Sequence, residues 1–177
     1  MKNLTQPIIR SLRQEDIKVL ADLYFPWTSH KETFEKWSRN LKEQDEGIRL
    51  SCIVEYQNKI AGYGNLLRYS EYPLFRDKKI PEINDVWIYD QYRKKGFGTC
   101  LINHFEKLAQ GEHYTQIGIG VGLYQDYGAA QKLYFELGYK PDGRGVTYKG
   151  KTGIPGESYP LDDDLILWLV KSLPREQ

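Results

Sequence analysis

A chain of 177 residues, 40% hydrophobic and 28% charged, has ordinary globular composition and is long enough to bury a core without disulfides or metals; one domain over 1–177 is expected. A formal net charge of +1 gives no global basic field, so composition offers no support for nucleic-acid binding, and no apolar run approaches membrane-spanning length. The amino terminus lacks the apolar core of a signal peptide, and Cys52 and Cys100 lie in an apolar strand-like run and an amphipathic helix, so a cytoplasmic protein with reduced core thiols is expected.

Ile8, Ile9 and Leu12 predict a short extended segment. Gln14-Glu15-Asp16 then opens a helix with Ile17, Leu20, Ala21 and Tyr24 on one face, ended by Pro26. Ser29 is the expected N-cap of a second helix carrying Thr33, Phe34, Trp37 and Leu41. Two strands follow, Arg49–Tyr56 and Lys59–Tyr69, joined by a tight turn at Gln57-Asn58 and therefore antiparallel. The stretch from Ser70 to Pro81 reads as a surface loop.

The next stretch is the most informative. Val86, Trp87, Ile88 and Tyr89 favour extended backbone, Arg93-Lys94-Lys95-Gly96-Phe97-Gly98 interrupts it, and Leu101, Ile102, Phe105, Leu108 and Ala109 recur at helical spacing up to Gly111, where the helix is expected to end. A glycine turn opening into a helix N-terminus presents free N–H groups and a positive dipole end, and three cationic side chains stand beside it. That is a cradle for a ligand with phosphates. A Walker loop would need lysine after the last glycine, and a dinucleotide fingerprint would need glycine where Leu101 stands. Taken alone, so short a pattern also fits an ordinary basic turn.

Residues Tyr114–Val121 predict a strand with Ile117, Ile119 and Val121 on one face and Gly118, Gly120 and Gly122 on the other, a bare face against which something bulky can lie. A helix over residues 128–137 follows, with Gly138 as its C′ residue and Pro141 as a stop. After Val146-Thr147-Tyr148 and a Gly/Pro-rich loop, Asp162-Asp163-Asp164 enters a short apolar run, Leu165–Val170, expected to be a buried strand. The aspartates either attract a cationic ligand or are a solvated strand entry that discourages edge pairing. This order argues a mixed sheet with helices on its faces. His30, His104 and His113 are scattered, so no metal site is expected.

Arg93-x-x-Gly96-x-Gly98 between strand and helix resembles the pyrophosphate signature of the GCN5-related N-acetyltransferases, and Ala130-x-x-Leu133-Tyr134-x-x-x-Gly138-Tyr139 resembles that family's second signature. The resemblance implies an α/β, mostly antiparallel mixed sheet with helices on both faces and a splayed strand pair receiving acetyl-CoA, the co-substrate. It implies that Val86, Trp87 and Ile88 pair with pantetheine and that Arg93, Lys94, Lys95, Gly96, Phe97, Gly98 and Thr99 surround the pyrophosphate. Gly118 and Gly120 would then face the cleft. Tyr127 stands where the family often has asparagine, with Asp126 beside it, which leaves the usual cofactor contact there in question.

Acetyl transfer to an amine needs a neutral nucleophile, an oxyanion donor and a proton for the leaving thiolate. Tyr134 falls on the family's tyrosine and is the expected acid, against the alternative of a core-facing helical tyrosine. Glu82 is the candidate base, acting through water, with a surface carboxylate as its alternative. Alternation places Glu82, Asn84 and Val86 on one side of the strand and Asp85 on the other. Asn84, Asp162 and Asp164 are expected to meet the acceptor, a cationic small-molecule amine; no nucleic acid or membrane partner is expected, and a homodimer is allowed. A non-catalytic acyl-CoA sensor and a protein or peptide N-acetyltransferase are the competing readings.

Overall fold

In the computed structural model, which describes residues 6–174, the turn at Gln57-Asn58 forms because both residues take left-handed backbone, φ 51° and 59°. Such a turn matches the twist of paired strands. It joins β2 (Arg49–Tyr56) to β3 (Lys59–Leu67) with Tyr56 opposite Lys59, and β1 (Ile8–Ser11) adds antiparallel to β2. Strand β3 stops two residues short of the predicted Tyr69, which is exposed.

Two helices begin where the sequence places them, the second at its expected cap, Ser29. Helix α1 (Gln14–Asp22) starts where Asp16 accepts the Arg13 N–H and two hydrogen bonds from the Arg10 guanidinium, and it buries Ile17, Leu20 and Ala21. It ends well before Pro26, leaving Tyr24 outside the helix and half exposed. Helix α2 (His30–Asp45) begins with a reciprocal cap, Ser29 Oγ accepting from Glu32 N at 3.2 Å and Glu32 Oε2 from Ser29 N at 2.8 Å.

The structure then departs from the expected surface loop. Residues Pro73–Lys78 form a short helix, α3, opened by proline at its first position and closed by left-handed Lys79. Its Phe75 is fully buried, so hydrophobic burial and not loop chemistry fixes this segment. Strand β4 (Glu82–Ile88) leads through a single 3₁₀ turn (Asp90–Tyr92) into α4 (Phe97–Gly111). Gly111 is the last helical residue and not the exit: His113 takes the left-handed conformation, φ 65°, and Tyr114 N reaches back to Ala109 O.

Strand β5 (Gln116–Gly122) is followed by a 3₁₀ turn (Gln125–Tyr127) and α5 (Gly128–Glu136), which ends at left-handed Gly138 with Tyr139 N bonded to Tyr134 O, as its sequence predicts. Pro141 lies inside β6 (Lys140–Tyr148), in pairing register with Leu169. Strands β7 (Lys151–Thr152) and β8 (Leu165–Ser172) complete the chain, and β8 runs antiparallel to both β5 and β6, which explains its apolar composition.

Strand order is β1-β2-β3-β4-β5-β8-β6-β7, mostly antiparallel, with β4 and β5 parallel. The chain forms two compact units: the first holds residues up to Leu67 and Asp85–His104, the second Arg68–Asn84 and the residues from Phe105 onward. In the first, α1 and α2 close over the sheet around Ile17, Leu20, Trp37, Ile53 and Tyr63. In the second, Tyr72 stacks on Trp168 at 4.3 Å and Phe75 meets the same ring edge-on.

The glycine face of β5 is covered by the chain's own aromatics, which corrects the expectation of a cleft-facing bare surface. A Cβ at Gly118 would overlap the Phe75 ring, one at Gly120 would come within 2.9 Å of Trp168, and one at Gly122 would overlap the Tyr127 ring. The glycines exist so that three large side chains can seat directly on the backbone. Gly118→Ala should destabilise the protein by about 1–3 kcal/mol through overpacking, read as a lower unfolding midpoint. An unchanged midpoint would mean that Phe75 does not occupy that face.

Among the described residues no helix is long and apolar enough to cross a membrane, and no group of three or more His, Cys, Asp or Glu is placed to hold a metal ion. Cys52 and Cys100 are free thiols; Cys52 is buried, which pushes its thiol up to about 12, whereas Cys100 is only half-buried.

Candidate functional site

The whole predicted phosphate cradle lies in the first unit. After β4 and the 3₁₀ turn, Lys94 and Gly96 take left-handed φ of 59° and 79°, which turns the chain sharply into α4. The first helical acceptor is Gly96 O, which takes the Cys100 N–H at 3.0 Å. The amides of Phe97, Gly98 and Thr99, in the first turn, have no helical partner by construction and point outward along the positive end of the dipole. Phe97 is buried against Tyr56 and anchors the helix start.

The three cations differ in placement. Arg93 folds back onto the strand: its Nε donates to Ile88 O at 2.9 Å and its guanidinium lies 4.9 Å over the Trp87 ring, with Asp90 beside it. Lys95 donates to Gln91 O and lies over the Tyr56 and Tyr92 rings, while Lys94 is exposed. Arg93 therefore braces the turn, and the exposed Lys94 is the better placed of the three to meet an anion.

Strand β4 is not regular. Asp85 has left-handed backbone, φ 52°, so the alternation by which Glu82, Asn84 and Val86 were placed on one side does not run through it. The parallel ladder with β5 is formed at Glu82–Gly118 and Ile83–Ile119, two residues before that kink. Beyond the kink, Tyr89 N donates to Ala61 O, and the missing Cβ of Gly62 lets the Trp87 carbonyl approach closely. Sequence reasoning missed the kink. The signal was Asn84-Asp85, two residues tolerant of left-handed backbone inside an otherwise β-branched run.

In the second unit, Glu82 is 4% exposed, which removes the surface-carboxylate alternative. Its Oε2 accepts from Ser70 Oγ and its Oε1 from Asn84 Nδ2 at 3.0 Å, the donors that a buried carboxylate requires. Asn84 is thereby committed to Glu82, and Ser70, which also accepts the Tyr72 N–H, was not predicted at all. Tyr134 is 6% exposed on α5, and burial pushes its hydroxyl up to about 12, so it stays protonated through the neutral range.

Tyr127 seats on Gly122 and donates to Asp163 Oδ1 at 3.0 Å, an oxygen also taken by the Tyr124 hydroxyl. Asp162 accepts from Tyr148 OH and from Asp164 N, and Asp164 faces Lys149 at 4.0 Å. The three aspartates thus enter β8 already engaged by hydroxyl donors and one lysine.

The sequence matches the acetyltransferase (GNAT) family over residues 15–139. Solved structures share the fold: an N-acetyltransferase from Staphylococcus aureus Mu50 (TM-score 0.69, 16% identity, 96% of this chain and 100% of that one), and spermidine N-acetyltransferase from Vibrio cholerae in complex with CoA and spermine (TM-score 0.66, 18% identity, 96% of each). Aminoglycoside 6′-acetyltransferase type Ii is similar in the same way, with TM-score 0.64, 19% identity, and coverage of 96% of this chain and 99% of that one. No curated protein sequence matches the chain. With the family match spanning most of the sequence, the chain belongs to the acetyltransferase (GNAT) family and is by class an acetyl-CoA-dependent N-acetyltransferase.

Proposed function

We propose that this protein moves the acetyl group of acetyl-CoA to the primary amine of a cationic small molecule, by direct attack within one catalytic domain. The observation that carries the reading is the β4–turn–α4 cradle, where left-handed Lys94 and Gly96 open a helix whose first amides face outward beside an exposed lysine. Pyrophosphate suits that arrangement of donors and charge. Val86–Ile88, beyond the kink, is the segment whose backbone would pair with pantetheine.

In the reaction the amine lone pair attacks the thioester carbonyl, the carbon–sulfur bond breaks, and the thiolate takes a proton. Tyr134 is assigned as that proton's source, since a phenol held protonated by burial is a competent donor. Glu82 is assigned as the base for the amine, through water, its carboxylate being oriented by Ser70 and Asn84. A small cationic acceptor is supported by the acidic entry to β8 and by similarity to structures whose own substrates are a polyamine and an aminoglycoside. The assembly is proposed to be small and free of nucleic acid, membrane or metal; a homodimer is compatible with it.

Purified protein incubated with acetyl-CoA and a panel of polyamines, aminoglycosides, amino acids and peptides should release free thiol with at least one cationic small molecule. Release with peptides alone would favour a protein N-acetyltransferase, and no release despite tight CoA binding would favour a sensor. With the acceptor found, replacing Asp162 and Asp164 by Asn should raise its KM about two- to fivefold per charge, the range of exposed charge pairs. Affinity for acetyl-CoA should not change. Added salt should narrow the gap, because the Debye length falls from about 10 Å at 0.1 M to about 3 Å at 1 M. Kinetics that ignore both changes would make the aspartates a solvated strand entry.

A further inference from the structure

Among the described residues of β4, Asp85 alone has left-handed backbone. A non-glycine residue persists there only where its surroundings fix it. Lys36 Nζ lies 2.6 Å from Asp85 Oδ2, and Asn65 Nδ2 donates to the same oxygen at 3.4 Å. Asn65 is itself fully buried, and its Oδ1 accepts from Ser51 Oγ at 2.5 Å and from Asn40 Nδ2 at 3.5 Å.

Lys36 and Asn40 are four residues apart on α2 and so share one face. Helix α2, strand β2 and strand β3 each contribute polar side chains to a chain of contacts that ends at the kink. Among the described residues, the buried polar side chains of the first unit are Asp16, Asn40, Ser51 and Asn65. Asp16 serves Arg10 and the start of α1, and the other three all belong to this chain. Polar groups in an apolar core cost stability unless their hydrogen bonds are made, so such a chain marks a place where geometry is being specified. Val86–Ile88 is thereby fixed at both ends, by the Asp85 carboxylate before it and by Tyr89 N on Ala61 O after it.

We propose that Lys36 and Asn65 are positioning residues: they clamp the Asp85 carboxylate, the clamp holds the left-handed kink, and the kink sets the direction in which Val86–Ile88 presents its backbone groups to pantetheine. The proposal rests on the cofactor reading above, in which the pyrophosphate is held separately by the Lys94–Thr99 turn. Clamp and cradle therefore act on different halves of one ligand.

The test uses the full chain and two probes, CoA and its nucleotide half, 3′-phosphoadenosine 5′-diphosphate, each titrated by calorimetry. Asp85→Ala removes the clamp and disfavours left-handed backbone, so CoA affinity should fall about tenfold or more, the loss of one or two aligned hydrogen bonds, while the nucleotide half should stay within about twofold. Asp85→Gly, which adopts that backbone freely, and Asp85→Asn, which tolerates it and keeps a partner for Asn65, should recover most of the affinity. Lys36→Met should fall between parent and Asp85→Ala. The Lys36 and Asp85 side chains are 35% and 33% exposed, so these changes leave the core intact. Asp85→Ala that binds CoA like the parent, or that loses both probes equally, overturns the positioning role, as does failure of Asp85→Gly to rescue. A parent protein that binds neither probe overturns the cofactor reading and the positioning role with it.

Discussion

Gly98→Glu is expected to abolish acetyl-CoA binding while leaving the protein at least as stable as its parent. Residue 98 is the second of α4, where the first-turn amides face outward. A carboxylate there would stand a few ångström from the bound pyrophosphate, and two like charges about 4 Å apart near a protein surface repel by about 4 kcal/mol, or about a thousandfold in affinity. The same carboxylate is favourable to the helix, since an acidic group in the first turn complements the dipole and glycine is a poor helix former by up to about 1 kcal/mol. Binding and stability should therefore move in opposite directions. Calorimetry with acetyl-CoA and a thermal melt on the same sample decide it. Affinity retained in a folded variant would mean that the turn is an ordinary basic connection and that the phosphates lie elsewhere.

Tyr134→Phe is expected to lower turnover about 10²- to 10⁴-fold, the usual cost of losing a general acid, with acetyl-CoA affinity nearly unchanged. Phenylalanine keeps the buried ring and deletes only the hydroxyl, so the expected loss is in kcat and not in folding. The raised ionisation of this phenol adds a check with a definite sign. A free tyrosine ionises near 10 and Tyr134 at about 12, so between those values the folded state holds a proton that the unfolded state has lost. Its contribution to stability is complete below pH 10 and is lost as pH rises to about 12. The variant should lack that part of the alkaline decline. Equal turnover by variant and parent would remove Tyr134 from the mechanism.

Local chemistry accounts for what was legible in the sequence. The reciprocal cap at Ser29 and Glu32, the turn at Gln57-Asn58, the stripe of Leu101, Ile102, Phe105 and Ala109, and the glycine exit at Gly138 each depend on residues within one turn or one hairpin of each other. So does the cradle, because a helix N-terminus generates its own anion site from consecutive amides. Two motifs of this local kind sufficed to identify the family.

Contacts between residues far apart in sequence decided the rest. The segment at Pro73–Lys78 is helical because Phe75 finds Trp168 and the bare backbone of Gly118, more than forty residues away along the chain. The aromatic cover over Gly118, Gly120 and Gly122 could be read as a vacancy from the spacing alone, since a pattern shows where a side chain is missing and not what fills the space. For Glu82, the candidate base, sequence left a surface carboxylate as the alternative, and only the closure of Ser70 and Asn84 on it in the interior removed that. The kink at Asp85 is the clearest case: alternation assumes regular extended backbone, and that assumption yields to a carboxylate held by Lys36 and Asn65. Periodicity and capping thus determined most of the elements and the cradle, whereas long-range packing and buried hydrogen bonds decided the short helix at Pro73–Lys78, which side chains the fold commits to its interior and in which direction β4 presents its backbone.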